Sequence, residues 1–271
     1  MASLSISQAW DETKARLAAE GKLIGVVAAA LIGLPGLVQG VFSLGSPEED
    51  QGIVWILIVL ASAVVAIIGQ LAIIRLAIGS SVSVGEAINH GARRMPTYFV
   101  AGLLIAIGLL IAAIPFALIL AALGVPLERS AIFESSAGIV LFLFYVAVGC
   151  FIGVRMLMSS TVASEENVGP VAIIKRSWLL TSGHFWRLFG FLLLFLIGSA
   201  IAIAVVNWGV SLVAVALFGE IQKLSASALI VAIVNAILNA AMSAILAVML
   251  ARIYVQLAGR SGGASVPKSG T

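Results

Sequence analysis

A chain of 271 residues that is 62% hydrophobic and only 10% charged, with a mean hydropathy of +1.19, cannot fold as an ordinary soluble globule, which carries about 25% charged residues. The bilayer is its expected solvent, and no soluble domain is left to bind nucleic acid. The net charge of +3 says less than where the charges fall, and the single cysteine, Cys150, excludes an internal disulfide and any multi-cysteine metal site.

Residues 1–22 contain SISQAWDETKARLAAEGK, in which Ile6, Trp10 and Leu17 mark an apolar face. This segment is expected to form an amphipathic helix on the cytoplasmic leaflet. No short basic region precedes the first apolar run, so that run reads as a retained helix and not a cleaved signal.

Crossing roughly 30 Å of hydrocarbon takes about 20 residues, and apolar runs of that length occur near 23–43, 53–78, 98–123, 137–160, 186–207 and 226–251. Hydrophobicity continues from Trp208 to Phe218, which leaves 208–225 open between a bent extension and a surface helix. Pro35 and Pro115 are expected to distort their helices.

Between the runs lie amphipathic connections. In 80–97, Ser83 and Glu86 have the spacing of a capping box, and Val84, Ile88 and Met95 share a face that Asn89, Arg93 and Arg94 avoid. In 164–185, Pro170 suits the first helical position, Val171, Ile174 and Trp178 form a face, and Gly183 ends the helix. Both are expected to be interfacial helices. Residues 259–271 read as a disordered Gly/Ser tail, so the predicted architecture is an all-α membrane domain over 23–258.

Thirteen of the fifteen basic residues fall on one side of this arrangement, whereas the acids divide evenly. The positive-inside rule then places both termini in the cytoplasm. All twelve Asp and Glu residues are extramembrane in this reading, which disfavours proton-coupled transport.

The second, fourth and sixth runs each end at an arginine: Arg75 in AIIRLAIGSS, Arg155 in IGVRMLMSS and Arg252 in MLARIYVQL. The first two are followed by a Ser-Ser pair, a Val-Gly step and an amphipathic segment. That pattern predicts three helix-pair repeats. Two readings account for the arginines: snorkelling to headgroups at helix ends, or a lipid-phosphate site formed by Arg75, Arg155, Lys175, Arg176 and Arg252. Trp10, Trp178 and Trp186 are candidate interfacial anchors.

Polar residues inside the runs, Gln39, Gln70, Asn235 and Asn239, should turn toward other helices, since hydrocarbon offers them no partner. Gly36 with Gly40, and Gly149 with Gly153, have the spacing of close helix approach. Gly259 to Gly263 matches G-x-S-x-G but lacks the strand before and helix after that a nucleophile elbow requires. His90 and His184 have no carboxylates at ligand spacing. No catalytic, cofactor or metal site is therefore assigned.

The stretch VGPVAIIKRSWLLTSGHFWRLF resembles the hallmark loop of the membrane domain fused to some bacterial glycerophosphoryl diester phosphodiesterases. The resemblance rests on Gly169, Pro170, Ala172, Ile173, Ser177, Trp178, Leu180, Thr181 and Gly183. It implies a multi-pass protein of the bacterial inner membrane. It does not imply phosphodiesterase activity, because that chemistry belongs to a separate barrel domain bearing acidic metal ligands.

Three functions follow as expectations. The first is a non-enzymatic envelope scaffold or assembly subunit whose partners are membrane lipids and another membrane protein. The second is a lipid-handling protein using the arginine set, with Asn235 and Asn239 lining a polar groove. The third is a lipid-modifying enzyme acting through His90 or His184.

Overall fold

The computed structural model of the chain describes residues 4–45, 52–79, 82–126, 128–219, 222 and 225–263. Among these residues the secondary structure is helical, without strands, and six helices are long and apolar enough to cross a membrane.

Helix α1 (Ile6–Ala28) starts where Ser5 adopts extended backbone and its hydroxyl accepts the N–H of Gln8 at 3.2 Å. It passes through a π-turn (Ala29–Gly33) into α2 (Leu34–Gly45). The boundary expected at residue 22 is therefore absent. Gly21 weakens a helix by only about 1 kcal/mol relative to alanine, and packing holds both sides of it: Ala9 and Thr13 are buried before it, Ile24 and Val27 after it. The distortion expected at Pro35 takes the form of the π-turn, where the N–H of Leu34 reaches back five residues to the carbonyl of Ala29.

Helix α3 (Ile53–Ile78) packs extensively on α4 (Val84–Ala122). Both halves of the Ser83–Glu86 capping box are formed. The segment 80–97 was expected to end before a separate span, but α4 runs unbroken through Pro96. Pro96 removes one backbone hydrogen bond, and α4 is helical on both sides of it. At Gly91 the backbones come so close that a Cβ would lie 2.6 Å from the carbonyl oxygen of Ile68.

After α5 (Arg129–Glu134) and α6 (Ser136–Arg155), the chain makes a short helix α7 (Ser159–Glu165) in which Ser159 to Ser164 are all buried. Helix α8 (Pro170–Thr181) begins with Pro170 at its first turn and ends before Gly183, whose φ is +79°. Helix α9 (Phe185–Phe218) answers the question left at residue 208: the helix simply continues to Phe218, then stops at Gly219 with φ +83°. Residues 220, 221, 223 and 224 lie outside the described set.

Helix α10 (Ala226–Gly263) packs on α1, α2, α3 and α9. The tail expected from 259 thus begins as helix, because extending an existing helix avoids the cost of nucleation; residues 264–271 lie outside the described set.

A further expectation is corrected. Gly36, Gly149 and Gly153 face open space and Gly40 only touches Ala232, whereas Gly33, Gly69 and Gly91 closely approach α10, the π-turn and α3 respectively. Spacing alone does not reveal which face of a helix meets a neighbour. Cys150 is exposed on α6.

Most buried side chains gather at the end of the bundle that carries the arginines. One cluster joins Leu71, Met158, Ile173, Leu188 and Ile253, and a second joins Ile24 and Val27 to Ile73, Ala77, Ala247 and Val248. Toward the other end the helices face outward. In the most apolar stretch of α9 no residue is buried within the chain.

Candidate functional site

The arginines that end the spans are engaged within the chain, in three separate arrangements. The first surrounds residues 164–167, at the exit of α7. Arg75 of α3 pairs with Glu165 at 3.1 Å, and Arg176 of α8 pairs with Glu166 at 2.9 Å. Tyr254 of α10 donates its hydroxyl to the same Glu166 oxygen at 2.9 Å. From α4, His90 donates Nε2–H to the carbonyl of Ser164 at 2.6 Å, and Arg94 donates to the Asn167 side chain at 2.6 Å. Four helices are thereby tied to one short segment. Sequence reading missed Glu165, Glu166, Asn167 and Tyr254 as partners, although two adjacent acids just beyond the Ser-Ser pair were the available signal.

The second arrangement closes the C-terminus of α3. The last carbonyls of a helix have no intrahelical donor, and here two guanidinium groups supply one. Arg16 donates to the carbonyl of Leu76 at 2.8 Å and to that of Gly79, and Arg252 donates to that of Ala77. Arg16 also pairs with Glu20 at 3.0 Å. Cations at a helix C-terminus are favoured by the macrodipole as well. Arg16 was not among the sequence candidates.

The third is centred on Arg155, at the end of α6. Its guanidinium carbon lies 5.3 Å from the Phe151 ring centroid, 5.1 Å from that of Trp178 and 6.0 Å from that of Phe185, and Nη1 donates to Ser182 at 3.2 Å. Its main-chain carbonyl accepts the Ser177 hydroxyl at 2.8 Å; the Thr181 hydroxyl lies 3.3 Å away but is closer, at 2.9 Å, to the carbonyl of Ser177 in its own helix. Ser177 and Trp178 of α8 thus both grip the end of α6. Lys175 stands exposed on α8, outside these arrangements. The five proposed phosphate contacts do not share one set of partners.

Of the intramembrane polar residues, Asn235 accepts from Asn207 of α9 at 2.8 Å, and Asn239 donates to the carbonyl of Asn235 at 2.9 Å. Both Asn235 and Asn239 border a cavity of about 390 Å³ between α2 and α10, together with Ile32, Gly36 and Gly40. Gln39 and Gln70 are half-buried. The expected anchors Trp10, Trp178 and Trp186 are exposed, Trp186 most of all at 77%.

His184 contacts the carbonyl of Ser182 at 3.2 Å, on a different element from His90. Among the described residues no group of three His, Cys, Asp or Glu is placed to hold a metal. The Gly259–Gly263 run forms the end of α10, not the strand-to-helix turn of a nucleophile elbow.

A second cleft lies between α1, α9 and α10. It has a volume of about 820 Å³, with Trp10 and Trp186 at one end. Among the described residues six helices are long and apolar enough to cross a membrane, the length and composition of a multi-pass membrane protein. No protein-family model matches the chain, and neither a curated protein nor a solved structure does.

Proposed function

We propose that the protein is a non-enzymatic scaffold or assembly subunit of a bacterial inner membrane, with both termini cytoplasmic. The observation that carries this reading is the knot at Ser164 to Asn167, which ties α3, α4, α8 and α10 together by side-chain bonds. Such a base holds the outer parts of α4, α6 and α9 in fixed relation while leaving their apolar faces uncovered by the chain itself. A neighbouring membrane protein packs against such faces through shape and small residues, because lipid removes any hydrophobic drive between helices.

Three helix pairs ending at Arg75, Arg155 and Arg252 form the repeating unit of this proposal. The amphipathic starts of α1 and α4, with α8, are its interfacial helices. On the strength of Gly169, Pro170, Ser177, Trp178 and Thr181, we further infer kinship with the membrane domain fused to glycerophosphoryl diester phosphodiesterases. Lipid handling through Arg75, Arg155, Arg176 and Arg252 is less favoured, since each already has partners in the chain.

Photoreactive residues placed at Val140, Phe144, Leu194 and Val205, all exposed, test the reading in native membranes. Discrete protein adducts at one face, lost when Glu165 and Glu166 are both changed to glutamine, are expected. Adducts to lipid alone at every position would overturn it.

A further inference from the structure

The cleft between α1, α9 and α10 has a graded lining. At its outer end stand Ser7, Trp10, Trp186 and Arg187; farther along, α9 contributes Phe191, Leu194 and Phe195. The opposite wall is Met242, Ile245 and Met249 of α10. The α9 contributions recur at four-residue spacing from Trp186 to Ser199, one face of one helix.

At 1.5 Å per residue that face is about 20 Å long, enough to run the depth of one leaflet, half of roughly 30 Å. A polar, cationic, tryptophan-flanked end leading into a predominantly apolar trough is complementary to one class of molecule present throughout the bilayer. We propose that this cleft binds one anionic phospholipid, with its phosphate at Arg187 and its acyl chains lying along α9.

Arg187 is held at the mouth: its Nη1 donates to the carbonyl of Leu4 at 3.3 Å. A guanidinium carries five N–H donors in a planar fork, which suits a phosphate. Tryptophans at headgroup depth flank it, as they do at membrane interfaces generally. The trough is open beside Gly190 and Gly198 of α9, where an added Cβ would meet nothing within 4 Å and a larger side chain would fill the space. The two methionines on the far wall adapt their shape to flexible chains. The site is separate from the arginine arrangements of the base and independent of the scaffold reading.

The test is native mass spectrometry of protein reconstituted into phosphatidylcholine vesicles containing a minor fraction of phosphatidylglycerol, then released into mild detergent. One bound phospholipid per chain is expected, with phosphatidylglycerol enriched about tenfold over the bulk, equivalent to about 1.4 kcal/mol of headgroup selectivity. Arg187→Gln should keep the adduct and lose the enrichment. Gly190→Leu with Gly198→Leu should abolish the adduct while the protein, better suited to helix at both positions, melts no lower than the wild type.

Retained lipid of bulk composition, or adducts unchanged in both variants, overturns the proposal. So does a wild-type dimer that the double leucine variant splits into lipid-free monomers, which would make the cleft a contact between copies.

Discussion

Ser177 donates its hydroxyl at 2.8 Å to the carbonyl of Arg155, a residue whose own guanidinium lies against the ring of Trp178. Helix α8 therefore holds the end of α6 by both its main chain and its side chain. Ser177 is fully buried, so alanine there takes from the Arg155 carbonyl its 2.8 Å donor. Ser177→Ala should lower stability by about 1 kcal/mol, and Thr181→Ala, whose hydroxyl bonds chiefly within its own helix, by less. Thermal unfolding in lipid discs reads this; an unchanged midpoint in Ser177→Ala would show that α6 ends without help from α8.

Arg155 and Trp178 should be coupled. A cation over an indole contributes roughly 0.5 to 2 kcal/mol depending on desolvation, and Arg155 also touches Phe151 and Phe185. In a cycle of Arg155→Gln, Trp178→Leu and both, a coupling of about 1 kcal/mol is expected. Zero coupling would reduce the aromatic cage to coincidental proximity.

Arg75 and Arg176 both pair with acids, but Glu165 is the more enclosed, its side chain 14% exposed against 23% for Glu166. Stranding an enclosed carboxylate is worse than never having had the pair. Arg75→Gln should therefore destabilise by roughly 1 to 3 kcal/mol and Arg176→Gln by less, and adding Glu165→Gln to Arg75→Gln should recover most of the loss. Equal effects of the two arginine changes, unrelieved by the second substitution, would contradict the ranking.

Glycine substitutions separate true close contacts from mere spacing. Gly91→Ala forces a methyl group onto the Ile68 carbonyl and should cost about 1 to 3 kcal/mol as the helices shift apart. Gly153→Ala meets open space on a helix and should stabilise by about 0.5 to 1 kcal/mol. Unfolding midpoints moving in the same direction would refute this assignment of faces.

The spans were legible because bilayer crossing is a matter of local hydropathy, and the starts of α4 and α8 because Ser83 with Glu86 and Pro170 with Gly169 act within one turn. Continuity was not: polarity changes at residue 22 and near 97, but a change of solvent does not break a helix. The arginines were found, yet their roles were hidden. Arg252 reaches Ala77 across 175 residues, and Tyr254 reaches Glu166 across 88, and no single-sequence pattern encodes such pairings. The burial of α7 was equally opaque, since Ser-Ser-Thr reads as a loop until four helices close around it.

The packing of α10 against α1 and α3 carries a consequence for biogenesis. Ile24 and Val27, from the start of the chain, share one buried cluster with Ala240, Ala247 and Val248 from the last helix. As synthesis proceeds, the early helices enter the membrane with that seam vacant, and it fills only when α10 arrives. The nascent chain thus waits for its final helix before the base can lock, and anything that stalls translation ahead of residue 240 leaves an open slot lined by Ile24, Val27, Ile73 and Ala77 for the insertion machinery or quality-control proteases to find.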